Sequence, residues 1–189
     1  MIVGVSGEAR SGKDTFASIY SRIVSNAQVV SLSDFVRQEL AQIGVAPNRS
    51  LQRTVADYRR HTAGSAYWID RAITLTLATT KTLILAGIYA PGETKYIQRM
   101  GGVMVWIEAS ESFRIRRIAN RNDGHRDELL LRDPAAFSLQ LETEKISKST
   151  SGAMASLLEV KDIANYVVLN ENKLSEFEIA INEIIDVVA

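Results

Sequence analysis

The chain has 189 residues, 46% of them apolar, and its 22 Lys plus Arg are balanced by 22 Asp plus Glu. That length holds one well-cored domain, and the absence of net charge offers no general attraction to a nucleic-acid polymer or an anionic membrane. There is no cysteine, which excludes disulfides, thiolate metal sites and cysteine nucleophiles. The first apolar run, Ile2-Val3-Gly4-Val5, starts at residue 2, so no signal peptide is expected. No apolar run approaches the length of a membrane span, so a cytoplasmic location is expected. With three prolines, no internal repeat and no low-complexity stretch, residues 1–189 are expected to form a single domain.

The first run delivers Gly7-Glu8-Ala9-Arg10-Ser11-Gly12-Lys13-Asp14-Thr15. This matches G-x-x-x-x-G-K-[S/T] except that Asp14 stands at the hydroxyl position and Thr15 follows it. The pattern works only between a strand and a helix, because the first N–H groups and the positive end of the helix must face the phosphates. Phe16, Ile19, Tyr20 and Ile23 recur at helical spacing and supply that helix. In such a loop the backbone from Gly7 through Arg10, Ser11 and Gly12 cradles phosphate oxygens, and Lys13 reaches the β and γ phosphates. Asp14 and Thr15 lie where Mg²⁺ is met, so ATP and Mg²⁺ are the expected cofactors. The competing reading is a glycine-rich turn that matches by accident.

Further strands are predicted at 29–32, 83–86, 103–107 and 166–169, each nearly all apolar, as in parallel strands covered on both faces. Helical patterns span 16–24, 35–43, 51 to about 80 with a break at Gly64, 92–100, 110–121, 134–148 and 174–188. Alternating strands and helices with a phosphate loop in the first turn predict an α/β three-layer domain. The stretch between strands two and three exceeds a simple crossover and suggests a binding insert at about 34–80. Asn120-Arg121-Asn122-Asp123-Gly124-His125-Arg126-Asp127 is polar and turn-rich, and predicts a lid at about 120–133.

Phosphoryl transfer asks chiefly for positioning and positive charge. Arg114, Arg117 and Arg121 lie near one helix face leading into the lid. Arg117 and Arg121 are the candidate phosphate clamp, with Arg126 in the lid itself; the alternative is a solvated basic face. Arg37, three residues after Asp34 at the start of the helix after strand two, is placed where ligands bind at the carboxyl edge of the sheet. Its fork suits an acceptor phosphate, against the plainer reading of a surface cation. Asp34 is either an N-cap or a functional carboxylate. His61 and His125 lack ligand spacing for a metal site. Trp68 and Trp106 are expected in the core, with Tyr67-Trp68 as a candidate stacking surface for a base.

These motifs resemble those of the P-loop nucleotide kinases, nearest to the adenylate-kinase-related and dephospho-CoA-kinase-like proteins of microbes. The Ser-Gly-Lys-Asp-Thr loop is similar to that of phage deoxynucleoside monophosphate kinases and animal-type phosphomevalonate kinases. Ser33-Asp34-Phe35-Val36-Arg37, Leu131-Arg132-Asp133 and Asn165-Tyr166-Val167-Val168-Leu169-Asn170-Glu171 also resemble stretches of these groups. The resemblance implies a three-layer P-loop NTPase fold with a five-stranded parallel sheet in the order 2-3-1-4-5, a helical acceptor-binding insert and a lid. It implies that Arg37 holds the acceptor's phosphate and that Asp34 serves as general base or Mg²⁺-orienting carboxylate. Arg53, Arg59 and Arg60 lie in the acceptor insert, with a surface stripe as the plainer reading; only Arg60 resembles a family arginine, loosely, which makes it a candidate acceptor contact. Related kinases often end strand three with Asp-Gly-x-Arg, whereas this chain has Ala86-Gly87-Ile88-Tyr89.

The implied activity is transfer of the γ-phosphoryl of ATP to a small acceptor, a nucleoside or deoxynucleoside monophosphate first. The alternatives are a dephospho-CoA-kinase-like or other metabolite kinase, and a nucleotide-binding regulatory protein with little turnover. A GTPase switch fits poorly: strand three lacks Asp-x-x-Gly, and Asn170-Glu171-Asn172-Lys173 does not spell Asn-Lys-x-Asp. The expected partner is a small phosphate acceptor, with no membrane and no nucleic-acid polymer; a homodimer is left open.

Overall fold

A computed structural model of the chain describes residues 1–76, 81–119, 139, 156–171 and 173–188. Its five strands, β1 (Ile2–Gly7), β2 (Ala27–Ser31), β3 (Thr82–Ala86), β4 (Val103–Glu108) and β5 (Tyr166–Leu169), form one sheet in the order β2-β3-β1-β4-β5. All four pairings are parallel. This is the order implied by the resemblance. The register pairs Val5 with Ala86 and Gly7 with Ile107, so the carboxyl ends of β1, β3 and β4 finish together at one edge.

Alternate residues of the sheet feed two cores. On one face Leu83, Leu85, Met104 and Trp106 pack against α2 (Leu32–Gln42), α4 (Tyr67–Thr76), α5 (Pro91–Arg99) and α7 (Leu157–Asp162), with Phe35, Leu40, Trp68, Ile97 and Val160 buried there. On the other, Val3, Val5, Ile84, Val105 and Ile107 meet α1 (Lys13–Ile23) and α8 (Leu174–Val188) through Phe16, Tyr20, Phe177 and Ile181. Central β1 and β3 are buried along their whole length, as their apolar sequences require. The two edge strands depart from that expectation. Val29 in β2 and Val167 and Leu169 in β5 are exposed, whereas Val30 and Val168 beside them pack into the cores.

The long helical stretch is broken where glycine predicts it. Asn48 caps α3 (Arg49–Ala63) by accepting from the Leu51 N–H at 2.8 Å, and Gly64, at φ 108°, ends it before α4. The short α7 was not foreseen: six residues give too little periodicity to register. Helix α6 (Glu111–Ala119) follows β4, and the predicted lid and the predicted helix at 134–148 lie outside the described residues. Among the described residues no helix is long and apolar enough to cross a membrane.

Candidate active site at the phosphate loop

Between β1 and α1 the backbone turns through Gly7 (φ 147°), Arg10 (φ 64°) and Gly12 (φ 109°). A Cβ on Gly7 would stand 2.4 Å from the Ile107 carbonyl oxygen, and one on Gly12 would stand 2.1 Å from Asn170 Nδ2. Both glycines are therefore required by close approach as well as by conformation. Helix α1 begins at Lys13, with Gly12 at its N-cap and Asp14 in its first turn, so the open amides and the positive dipole end face the loop. The Lys13 ammonium curls back and donates to the carbonyls of Gly7 and Glu8, both at 2.8 Å. Asp14 and Thr15 are exposed beside it.

Helix α6 grips this loop from beneath with two arginines. Arg117 donates to the carbonyls of Arg10 (3.2 Å), Ser11 (3.1 Å) and Asn170 (2.7 Å) and to Asn170 Oδ1 (3.1 Å). Asn170, just after β5, in turn donates to the Ser11 carbonyl at 2.8 Å. Burial lowers the Arg117 pKa, against the opposing charge of Glu171. Arg114 is buried, donates to the Ala109 carbonyl and pairs with the Glu8 carboxylate at 3.2 Å. Neither arginine belongs to a solvated basic face, and Arg117 is engaged with loop carbonyls in place of the open clamp the sequence suggested. Arg121 and Arg126 lie outside the described residues. Asn170 escaped sequence reasoning as a site residue, although it lies in a stretch that carried the resemblance.

Across the edge, β2 passes into α2 at Ser31, the N-cap residue. Asp34 sits a turn later and is not the N-cap; the helix simply begins earlier than its apolar spacing suggests. Asp34 pairs with Arg37, whose guanidinium also reaches Ser33 Oγ at 3.1 Å and Gln52 Oε1 at 3.5 Å. Arg37 is about one-quarter exposed and Asp34 more than half, so both are reachable from solvent. Arg60 is not. It is 3% exposed and held by Glu93 at 2.7 Å and Asp57 at 2.8 Å. Burial opposes its charge, but the two carboxylates outweigh that and raise its pKa. Glu93 Oε2 also accepts from the N–H groups of Tyr89 and Ala90, so Arg60 ties α3 to the start of α5 in place of the expected contact with an acceptor.

At the position where the resemblance implied an arginine, the Tyr89 ring lies 5.9 Å from the Lys13 ammonium. Trp68 is core, as expected, donating to the Ala56 carbonyl at 3.2 Å, which leaves it no open face for a base. His61 is exposed at the end of α3, and among the described residues no group of three or more His, Asp or Glu side chains is placed to hold a metal alone.

The fold recurs in solved structures. A Thermus thermophilus protein, TT1252, superposes with a TM-score of 0.58 at 21% identity, over 100% of this chain and 98% of its own. Shikimate kinase from Bacteroides thetaiotaomicron gives 0.57 at 13% identity, over 100% and 98%. The fold is that of the P-loop kinases. The APS kinase of Mycobacterium tuberculosis, solved with AMPPNP and APS, gives 0.51 at 15% identity over 99% and 96%. No protein-family model and no curated protein matches the chain.

Proposed function

We propose that the protein is an ATP-dependent kinase that transfers the γ-phosphoryl group to a small anionic acceptor. The observation that carries this reading is the pairing of two sites across one sheet edge: a strand–glycine loop–helix phosphate cradle with Lys13 at its helix start, and the accessible Asp34–Arg37 pair opposite. The triphosphate lies on the amides of residues 7–15, and Lys13 exchanges two backbone carbonyls for β- and γ-phosphate oxygens. Arg37 takes the anionic group of the acceptor as a bidentate donor, and Asp34 orients or deprotonates the attacking oxygen. The oxygen donors Asp14 and Thr15, exposed together in the first turn of α1, suit an Mg²⁺ that keeps phosphates and waters as its other ligands. An ion held there would supply positive charge beside the phosphates.

A nucleoside monophosphate is one member of this acceptor class; the structural relatives named for shikimate and APS support the wider class of small anionic metabolites. Ala86-Gly87-Ile88-Tyr89 at the end of β3 favours a second reading, a nucleotide-binding regulator, because the usual carboxylate and arginine are replaced. Calorimetric titration with ATP·Mg²⁺, followed by ADP release with a panel of anionic acceptors, tests both. Binding with turnover supports the kinase, binding without turnover for any acceptor supports the regulator, and no binding overturns both.

A further inference from the structure

Strand β3 ends between the two sites. Ala86 pairs with Val5 of β1 on one side and with Ser31 of β2 on the other, so the residues after it leave the sheet between the phosphate loop and the start of α2. The chain there is pinned residue by residue. The Gly87 and Ile88 N–H groups both donate to the Val5 carbonyl, at 3.0 and 3.3 Å, and the Ile88 carbonyl accepts from the Ser6 hydroxyl. Tyr89 is held on both sides: its N–H donates to Glu93 Oε2 at 3.2 Å, and its carbonyl accepts from the Ser156 N–H at 2.8 Å. Glu93 is fully buried and is itself fixed by the Ala90 N–H and by Arg60.

The polar end of the Tyr89 side chain is the part left unpaired. The half-buried ring lies back over the strand end: a Cβ on Gly87 would stand 3.6 Å from Tyr89 Cε2, and the ring centroid is 5.9 Å from the Lys13 ammonium. Cε2 is bonded to the carbon that carries the hydroxyl, so the hydroxyl end stays at the sheet edge. That hydroxyl has no partner among the described residues, and unlike the Tyr20 hydroxyl it is not sealed in the core. A donor on a fixed backbone loses little freedom when a ligand arrives. The γ-phosphoryl group has to pass from the loop after β1 to an acceptor beside α2, and β3 ends between them. The α and β phosphates stay on the loop, so the phosphate nearest Tyr89 is the γ.

We propose that the Tyr89 hydroxyl donates to the γ-phosphate of bound ATP, with Glu93 as a positioning residue that holds the Tyr89 backbone in place. The proposal rests on the kinase reading for the placement of the triphosphate and deepens it: a neutral donor at the end of β3 tells ATP from ADP. Lys13 serves the β and γ phosphates alike, whereas Tyr89 serves the γ alone.

The test is calorimetric titration of ATP·Mg²⁺ and ADP·Mg²⁺ into the wild type, Tyr89→Phe, Glu93→Gln and the double variant, each checked for folding by circular dichroism. Tyr89→Phe keeps the ring and removes only the hydroxyl. It should weaken ATP about tenfold, the size of one hydrogen bond to a charged group, and leave ADP within about twofold. Glu93→Gln loses an acceptor at one end of its side chain and should show the same selective loss of ATP. The double variant should bind ATP no more weakly than Tyr89→Phe alone, because Glu93 acts through the hydroxyl. If Glu93→Gln does not fold, Tyr89→Phe decides alone. Equal losses of ATP and ADP in Tyr89→Phe, or no loss, overturn the proposal and leave the kinase reading standing. Additive losses in the double variant remove Glu93 from the positioning role. A selective loss of ATP in a protein that releases ADP with no acceptor sinks the kinase reading and keeps the γ-phosphate contact. A wild type that binds neither nucleotide overturns both.

Discussion

Gly12→Ala tests how the phosphate loop is held. At φ 109° an alanine leaves the region open to L-residues, a cost of about 1–3 kcal/mol. Its Cβ would fall 2.1 Å from Asn170 Nδ2, so the buried Asn170 side chain must withdraw. Withdrawal forfeits its bond to the Ser11 carbonyl at 2.8 Å and the Arg117 bond to its Oδ1 at 3.1 Å. Together these are worth about 2 kcal/mol or more, since one involves a charged donor. Gly12→Ala should therefore destabilise by roughly 4 kcal/mol and Asn170→Ala by roughly 2 kcal/mol. The double variant loses the Asn170 contacts only once, so it should be more stable than the sum by about 2 kcal/mol. Urea unfolding of all four proteins, with unchanged slopes, measures this directly. Additivity within about 0.5 kcal/mol would refute the claim that Asn170 and Gly12 share one volume.

Lys13→Ala should keep the fold, by circular dichroism, while calorimetry shows ATP binding weakened roughly a hundredfold, the loss of two charged contacts. Arg37→Ala should raise the acceptor's KM by a factor equivalent to about 2–5 kcal/mol with little change for ATP; equal losses for both substrates would remove Arg37 from the acceptor site. Arg60→Ala leaves the fully buried Glu93 without its guanidinium and should cost about 3–5 kcal/mol in urea unfolding, without altering the acceptor's KM in the protein that remains folded. Asp14→Asn should sharply raise the Mg²⁺ needed for half-maximal activity; an unchanged Mg²⁺ titration with a stability loss of about 0.3–1 kcal/mol would reduce Asp14 to a complement of the helix dipole.

The framework was legible because its signals are local. A continuous apolar run marks β1 and β3, a helical stripe marks α1 and α8, and Gly64 ends α3 wherever the partners lie. The strand order came from resemblance, since nothing in an isolated strand says which neighbour it takes. What escaped depends on contacts between distant residues. Arginine spacing at 114 and 117 looks the same whether the helix faces water or a loop a hundred residues away, and only the fold brings Glu8 and the Ser11 carbonyl against it. The ion pair of Arg60 was hidden for the same reason: its carboxylate partner in α5 is 33 residues further on. Trp106 was correctly expected to be buried, but a missing hydrogen-bond partner leaves no trace in a sequence.

The cations around the loop are already engaged before any phosphate arrives. Lys13 holds two backbone carbonyls, Arg37 holds Asp34, Arg114 holds Glu8, and Arg117 holds three carbonyls and the Asn170 amide. Binding a triphosphate is thus an exchange of acceptors, and the gain is a difference between bonds. For Lys13 the exchange is favourable: two bonds to neutral carbonyls give way to charge-assisted bonds about twice as strong, and a flexible four-carbon stem makes the swing easy. Arg117 would surrender four bonds at once and leave the Arg10 and Ser11 carbonyls without its guanidinium. The same arithmetic sends the two residues opposite ways. On the proposed kinase reading Lys13 would move to the phosphates, whereas Arg117 would stay and act on them only through the shape of the loop it holds.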